Sequence, residues 1–207
     1  MVVLSVKPQS LHDVFLELHG RLQPEQLVLS IVAGASVTTI GRGLGHEAVI
    51  RVMPNTPARI GAGISVWTAT EAVAEEQKEA ARVILAALGK EVFVADEKYI
   101  DMATAVSASG PAYIFLVMES LIDAAVHIGL PREMASELVL ETVLGSALLA
   151  QKTGQHPVTL RNMVTSPGGT TAEGLLRLEE GGMQGILASA VIAAYEKALL
   201  LATEGGP

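Results

Sequence analysis

The sequence contains no cysteine, so it holds no disulfide framework and offers no thiolate chemistry, which suits a cytosolic protein. Aromatic residues make up only 3% of the chain, so a core must come from Ala, Val, Leu, Ile and Met. Basic residues are also short: 14 against 22 acidic ones, giving 14 − 22 = −8. Without a basic footprint or stacking platforms the chain makes a poor nucleic-acid binder. Long hydrophobic runs are missing too. The charge-free run from Met102 to Met118 is 17 residues long and holds Ser107, Ser109, Gly110 and Pro111. The last apolar stretch is interrupted by Glu196 and Lys197. A spanning helix needs about 20 predominantly apolar residues, so no membrane segment is expected. Met1 to Val6 has no basic region and no cleavage site of a leader, and a cytoplasmic protein is expected.

What is present is a 207-residue, half-hydrophobic chain, enough for one or two domains. Charge divides it unevenly: residues 1–95 carry 8 basic and 9 acidic groups, and residues 96–207 carry 6 and 13. Secondary-structure signals change at the same place. Val2–Val6, Leu27–Val32, Val49–Met53, Ile64–Trp67 and Glu91–Val94 read as strands. Between them, Ser10 with Asp13 forms a capping-box start for a helix with Leu11, Val14, Phe15 and Leu18 on one face. A short helix is expected over Ser36–Ile40 and a longer one over Glu71–Leu88, stopped by Gly89. This alternation predicts an α/β domain over residues 1–95, with a mostly parallel sheet. Residues 96–207 show no strand. Helices are expected from Pro111 to Gly129, from Pro131 to Lys152, from Thr171 to Glu180 and from Met183 to Ala202, an all-helical domain with faces apolar enough for oligomer contacts.

Several motifs carry chemistry. Gly41-Arg42-Gly43-Leu44-Gly45 looks superficially like a dinucleotide fingerprint, but it follows a short helix and precedes a strand, so it reads as a turn. In Val164-Thr165-Ser166-Pro167-Gly168-Gly169-Thr170-Thr171, two glycines allow a tight fold, and the threonine hydroxyls can cap the next helix. Two readings stand: an anion site at a helix N-terminus, or an ordinary capped turn. Ser107-Ala108-Ser109-Gly110-Pro111-Ala112-Tyr113 reads as a small-residue bend between helices. Glu119, Asp123 and His127 share a helical face, but no second cluster completes a metal shell, and no metal is expected. Glu97 and Asp101, one helical turn apart, lie at the junction of the two parts. Lys7-Pro8 and Met53-Pro54-Asn55-Thr56-Pro57 follow predicted strands, where parallel sheets bind ligands and where prolines also simply end strands. No serine sits in a nucleophile elbow.

Taken in order, Val6-Lys7-Pro8, Val52 to Pro57, Ser107 to Tyr113, Gly129-Leu130-Pro131-Arg132 and Val164 to Thr171 resemble the pyrroline-5-carboxylate reductase family across essentially the whole chain. Ser107-Ala108-Ser109 departs slightly from the Ser-Gly-Ser usual there. A larger departure is at the front: family members begin with a strand and a Gly-x-Gly-x-x-Gly turn, whereas this sequence starts in what looks like the fourth strand. The expectation is a fragment of a longer protein or a misassigned start, ahead of a naturally shortened protein.

The resemblance implies the C-terminal part of a Rossmann-like NAD(P)-binding domain followed by an all-helical domain for substrate binding and dimerisation. It implies reduction of (S)-1-pyrroline-5-carboxylate to L-proline, the last step of proline biosynthesis, by hydride from NADPH or NADH, in a homodimer or homodecamer. The residues that read the ribose 2′ position belong to the segment not found here, so both cofactors stand. By resemblance, Gly169 and Thr170 hold the substrate carboxylate through backbone N–H groups, with Gly168 shaping the turn. Thr171 is the catalytic residue, hydrogen-bonding the ring nitrogen, and Glu97 lines the substrate pocket. Val6, Lys7, Pro8, Ile31, Val32, Ala33 and Asn55 match the cofactor-contacting edge. Two alternatives remain: a non-catalytic oligomerising fragment, and another Rossmann-type dehydrogenase. Those of similar layout, such as the β-hydroxyacid and 6-phosphogluconate types, use a catalytic lysine on the central helix, where Pro111–Ile128 has no Lys or Arg.

Overall fold

The computed structural model describes residues 1–204. Its chain divides into two compact units, Met1–Pro111 with the chain from Ala190 onward, and Ala112–Ser189.

The first unit is built on a five-stranded sheet of order β1-β2-β3-β4-β5, comprising Val2–Leu4, Val28–Ser30, Val49–Met53, Gly63–Ala69 and Gly89–Phe93. The first three strands run parallel, β4 is antiparallel to β3, and β5 is parallel to β4. The predicted strands are therefore found, in a sheet whose last two strands reverse. The reversal needs no crossover helix, because β3 and β4 are joined through the short 3-10 turn Thr56–Ile60.

Helices cover both faces. On one, α3 (Glu75–Ala87) seals Leu29, Ile50, Val52 and Trp67 with Ala81 and Leu85. On the other, α1 (Leu11–Leu18) and α2 (Val37–Leu44) pack Leu11, Ile40 and Leu44 on Leu4, Val28 and Val49. A third cluster on that face joins Met53 and Val66 to Ile100 of α4 (Lys98–Ala103). The α1 face predicted from Leu11, Val14, Phe15 and Leu18 faces this core. The Ser10 capping box does not form: a 3-10 turn over Pro8–Ser10 leads straight into α1, so Ser10 already has helical backbone angles and its side chain makes no cap.

Gly41 and Gly43 are not a turn. They lie inside α2, which is capped by Ser36 and ends at Gly45 in the left-handed region, φ 62°. A Cβ on Gly43 would come within 2.4 Å of the Phe15 ring, so this glycine lets α1 and α2 approach. The expected bend over Ser107–Tyr113 is likewise absent. A π-helical turn at Thr104–Ala108, with Ser109 N–H bonded to the Thr104 carbonyl at 2.9 Å, carries α4 into α5 (Gly110–His127). Pro111 has no N–H to give, and the widened turn absorbs its ring without a break. The result is a helical stretch of 30 residues, Lys98–His127, long and apolar enough to cross a membrane; Met183–Ala202 also qualifies. The expectation of no such helix is corrected: Ser107–Pro111 does not interrupt the first, and two charges do not disqualify the second. Both stretches are only 6% buried.

The second unit contains α5 from Ala112, α6 (Arg132–Thr153), α7 (Pro157–Met163), α8 (Thr170–Glu180) and the start of α9 (Met183–Glu204). Only α7 was unanticipated; Pro157 stands in its first turn behind His156, whose ring nitrogen accepts the Val158 N–H. Among the described residues of 112–189 only Ala135 and Val139 are buried, while Phe115, Leu116, Leu140, Leu144 and Ile186 are exposed. A helical unit with so small an interior has not buried its apolar faces.

Candidate active site

Because β1, β2 and β3 are parallel, their carboxyl ends share one edge of the sheet, and the loops beyond carry the predicted cofactor residues. Val6, Lys7 and Pro8 follow β1 and are exposed; Ile31 follows β2 and is 37% exposed. Ala33 is half-buried against the Met53 cluster. Val32, by contrast, is a core residue, 3% exposed among Leu4, Ala35 and Ile40, so its side chain is closed to a ligand. Asn55 follows β3; its Oδ1 accepts the Ile64 N–H at 3.0 Å, which fixes the side chain and leaves its amide nitrogen as a donor. Gly34 adopts φ +76°, and a Cβ there would lie 3.2 Å from the Leu201 backbone, so the loop into α2 is pressed against the end of α9. Lys7 is the one charged side chain among these seven positions. A cation, an amide donor and no carboxylate fit an anionic dinucleotide.

The second cluster is the loop before α8. Gly168 sits at φ +70° and Gly169 is the N-cap residue with extended angles, φ −83° and ψ 165°. The Gly169 N–H bonds the Ser166 carbonyl at 3.0 Å, closing the turn. A Cβ on Gly169 would come within 2.5 Å of Ser166 Oγ, so only glycine fits without displacing Ser166. Thr170 and Thr171 are the first two residues of α8 rather than its caps, and no side chain caps this helix. Their expected capping role is corrected by one or two positions: the turn enters the helix at Gly169, ahead of both hydroxyls. First-turn N–H groups have no intrahelical acceptor, and here they emerge at exposed threonines with the positive end of the helix dipole behind them.

Glu97 and Asp101 are brought together by a residue that sequence reading missed. Arg51, inside β3, donates from Nη1 to Glu97 Oε1 at 2.8 Å and from Nη2 to Asp101 Oδ1 at 2.6 Å, with its own side chain 3% exposed. The signal was available: one charge inside the apolar run Val49–Met53. Asp123, one of the three acid and histidine positions on α5, pairs with Arg132 at 2.9 Å. Next to this pair an open groove of about 720 Å³ runs between α5 and α6, lined by Phe115, Leu116, Ile122 and Leu140.

Known proteins resemble the chain over nearly all of it. The family model described as pyrroline-5-carboxylate reductase dimerisation matches residues 97–201. The pyrroline-5-carboxylate reductase of Pisum sativum is 45% identical over 197 residues, covering 95% of this chain and 72% of the relative. That of Pseudomonas aeruginosa is 42% identical over 207 residues, covering 100% and 76%. The crystal structure of Plasmodium falciparum pyrroline carboxylate reductase with NADP bound superposes with a TM-score of 0.91 at 36% identity, covering 97% of this chain and 80% of that one. The Coxiella burnetii pyrroline-5-carboxylate reductase gives 0.87 at 42%, covering 97% and 75%. With identity of this order sustained through both the sheet and the helices, the chain belongs to the pyrroline-5-carboxylate reductase family.

Proposed function

We infer that the chain is an NAD(P)H-dependent oxidoreductase that reduces (S)-1-pyrroline-5-carboxylate to L-proline, the last step of proline biosynthesis. The observation that carries the site assignment is the Gly168-Gly169 turn, which presents the first amides of α8 without a side-chain cap. In this reading the Thr170 N–H holds the substrate carboxylate, joined by the Gly169 N–H, which shares its proton between that carboxylate and the Ser166 carbonyl, and Gly168 supplies the left-handed residue the turn requires. Thr171 donates its hydroxyl to the ring nitrogen. A C=N carbon accepts hydride more readily as negative charge on nitrogen is neutralised, so a donor there favours transfer. The nicotinamide supplies the hydride when bound. Asn55 and Lys7 hold its dinucleotide beside the exposed Val6, Pro8 and Ile31, while Val32 and Ala33 contribute backbone and wall.

The chain works as an oligomer, with a second copy covering the apolar faces of α5, α6 and α9 in a homodimer or a homodecamer. Support comes from the near absence of buried residues in 112–189 and from the match to a dimerisation family. Thr171→Ala tests the mechanism: loss of one positioned donor lowers kcat by about a hundredfold, with the oligomer intact. Unchanged turnover removes Thr171 from the reaction.

A further inference from the structure

Arg51 stands where a charge is costly. On its face of the sheet it lies between Val49 and Met53, which belong to different apolar clusters. Its register neighbours Ser30 and Thr68 are also buried, so a polar row crosses the sheet between the two clusters. A guanidinium here needs full pairing, and both its arms are occupied, by Glu97 and Asp101. Glu97 does more than neutralise. The same Oε1 that takes Arg51 also accepts the backbone N–H of Val37 at 2.8 Å. Val37 is the first residue of α2, and Ser36 caps a different donor, the Thr39 N–H. One carboxylate oxygen therefore joins β3, α4 and the N-terminus of α2.

We propose that Glu97 is a positioning residue for the cofactor edge: through Val37 it fixes where the loop from Ile31 to Ser36 enters α2, and Arg51 and Asp101 hold Glu97 in place. The cofactor part rests on the reductase reading; the clamp itself does not. A residue that instead touches substrate would act on the imine, and the two roles separate experimentally.

Amide hydrogen exchange across 31–40 and titration with NADPH are measured on the full chain and on Glu97→Ala, Glu97→Gln and Glu97→Asp. Glu97→Gln keeps an acceptor at the same reach. Glu97→Asp keeps the charge but withdraws the oxygen by one methylene, and it guards against a Glu97→Ala chain that does not fold. Loss of a hydrogen bond to a charged acceptor is expected to speed exchange at Val37 by about tenfold or more in the Ala and Asp variants. In Glu97→Gln it returns to within about threefold of the parent. NADPH affinity falls in the same order while KM for the imine stays put. Unchanged exchange at Val37 in the Ala and Asp variants overturns the proposal, as does a raised imine KM with NADPH affinity intact. A parent chain with no imine-dependent turnover would remove the reductase reading alone, because exchange at Val37 still decides the clamp.

Discussion

Gly169→Ala adds one methyl group at the tightest point of the proposed substrate loop. The backbone at φ −83° and ψ 165° accepts any L-residue, so no dihedral strain arises. The effect comes from Ser166: the new Cβ would lie 2.5 Å from its Oγ and 3.1 Å from its carbonyl oxygen. The hydroxyl can rotate away, but the carbonyl must yield by a few tenths of an ångström, and it is the acceptor that closes the turn. Replacing a glycine N-cap by alanine costs about 1 kcal/mol, so the fold survives. The shift is passed to the N–H groups of Gly169 and Thr170, and a misplacement of about 1 Å costs about a hundredfold in rate. A shift of a few tenths of that is expected to lower kcat/KM for the imine by about fourfold. Initial rates at saturating reduced nicotinamide give the number. Ser166→Ala alone is expected to be nearly silent, and adding it to Gly169→Ala to recover little, since the backbone carbonyl contact remains. Near-parental activity in Gly169→Ala would refute the reasoning, and so would a double variant restored to the parental rate.

Two further outcomes follow from burial. Arg51→Met leaves Glu97 and Asp101, with side chains 26% and 13% exposed, facing each other without a cation. Breaking a buried pair in this way costs about 3 kcal/mol, read from the urea midpoint of the sheet-containing unit; a loss under about 1 kcal/mol would contradict the buried clamp. The exposed faces of α5, α6 and α9 predict a dimer or larger species by light scattering at micromolar concentration, and a monodisperse monomer would contradict the pairing argument.

Strand positions were legible because runs such as Val49–Met53 and Leu27–Val32 are rich in β-branched and aliphatic residues between turn signals. A mostly parallel sheet was legible too, but which pair of strands runs antiparallel was not, since the reversal at β4 depends on a short connection rather than on composition. Local rules failed where tertiary packing decides. Glycine punctuation at 41–45 suggested a turn, but Gly43 is used to admit the Phe15 ring into a helix contact. Ser107–Pro111 carries bend residues, yet a π turn with serine and threonine hydroxyls bonded back to Ala103 and Ile100 keeps the helix going. The Gly168–Thr171 loop was legible from its residues, with the cap placed one or two positions too late. Arg51 was missed because a lone charge in a strand reads as a surface position, and its two partners lie 46 and 50 residues away.

The sheet edge and the α8 loop of this chain are assigned to an imine-reducing enzyme. Oxidation of NADPH or NADH by the purified 207-residue chain, followed with and without pyrroline-5-carboxylate, tests it most directly. Imine-dependent oxidation that yields proline is expected, falling about a hundredfold in Thr171→Ala. Oxidation that does not respond to the imine, or none at all, would contradict it.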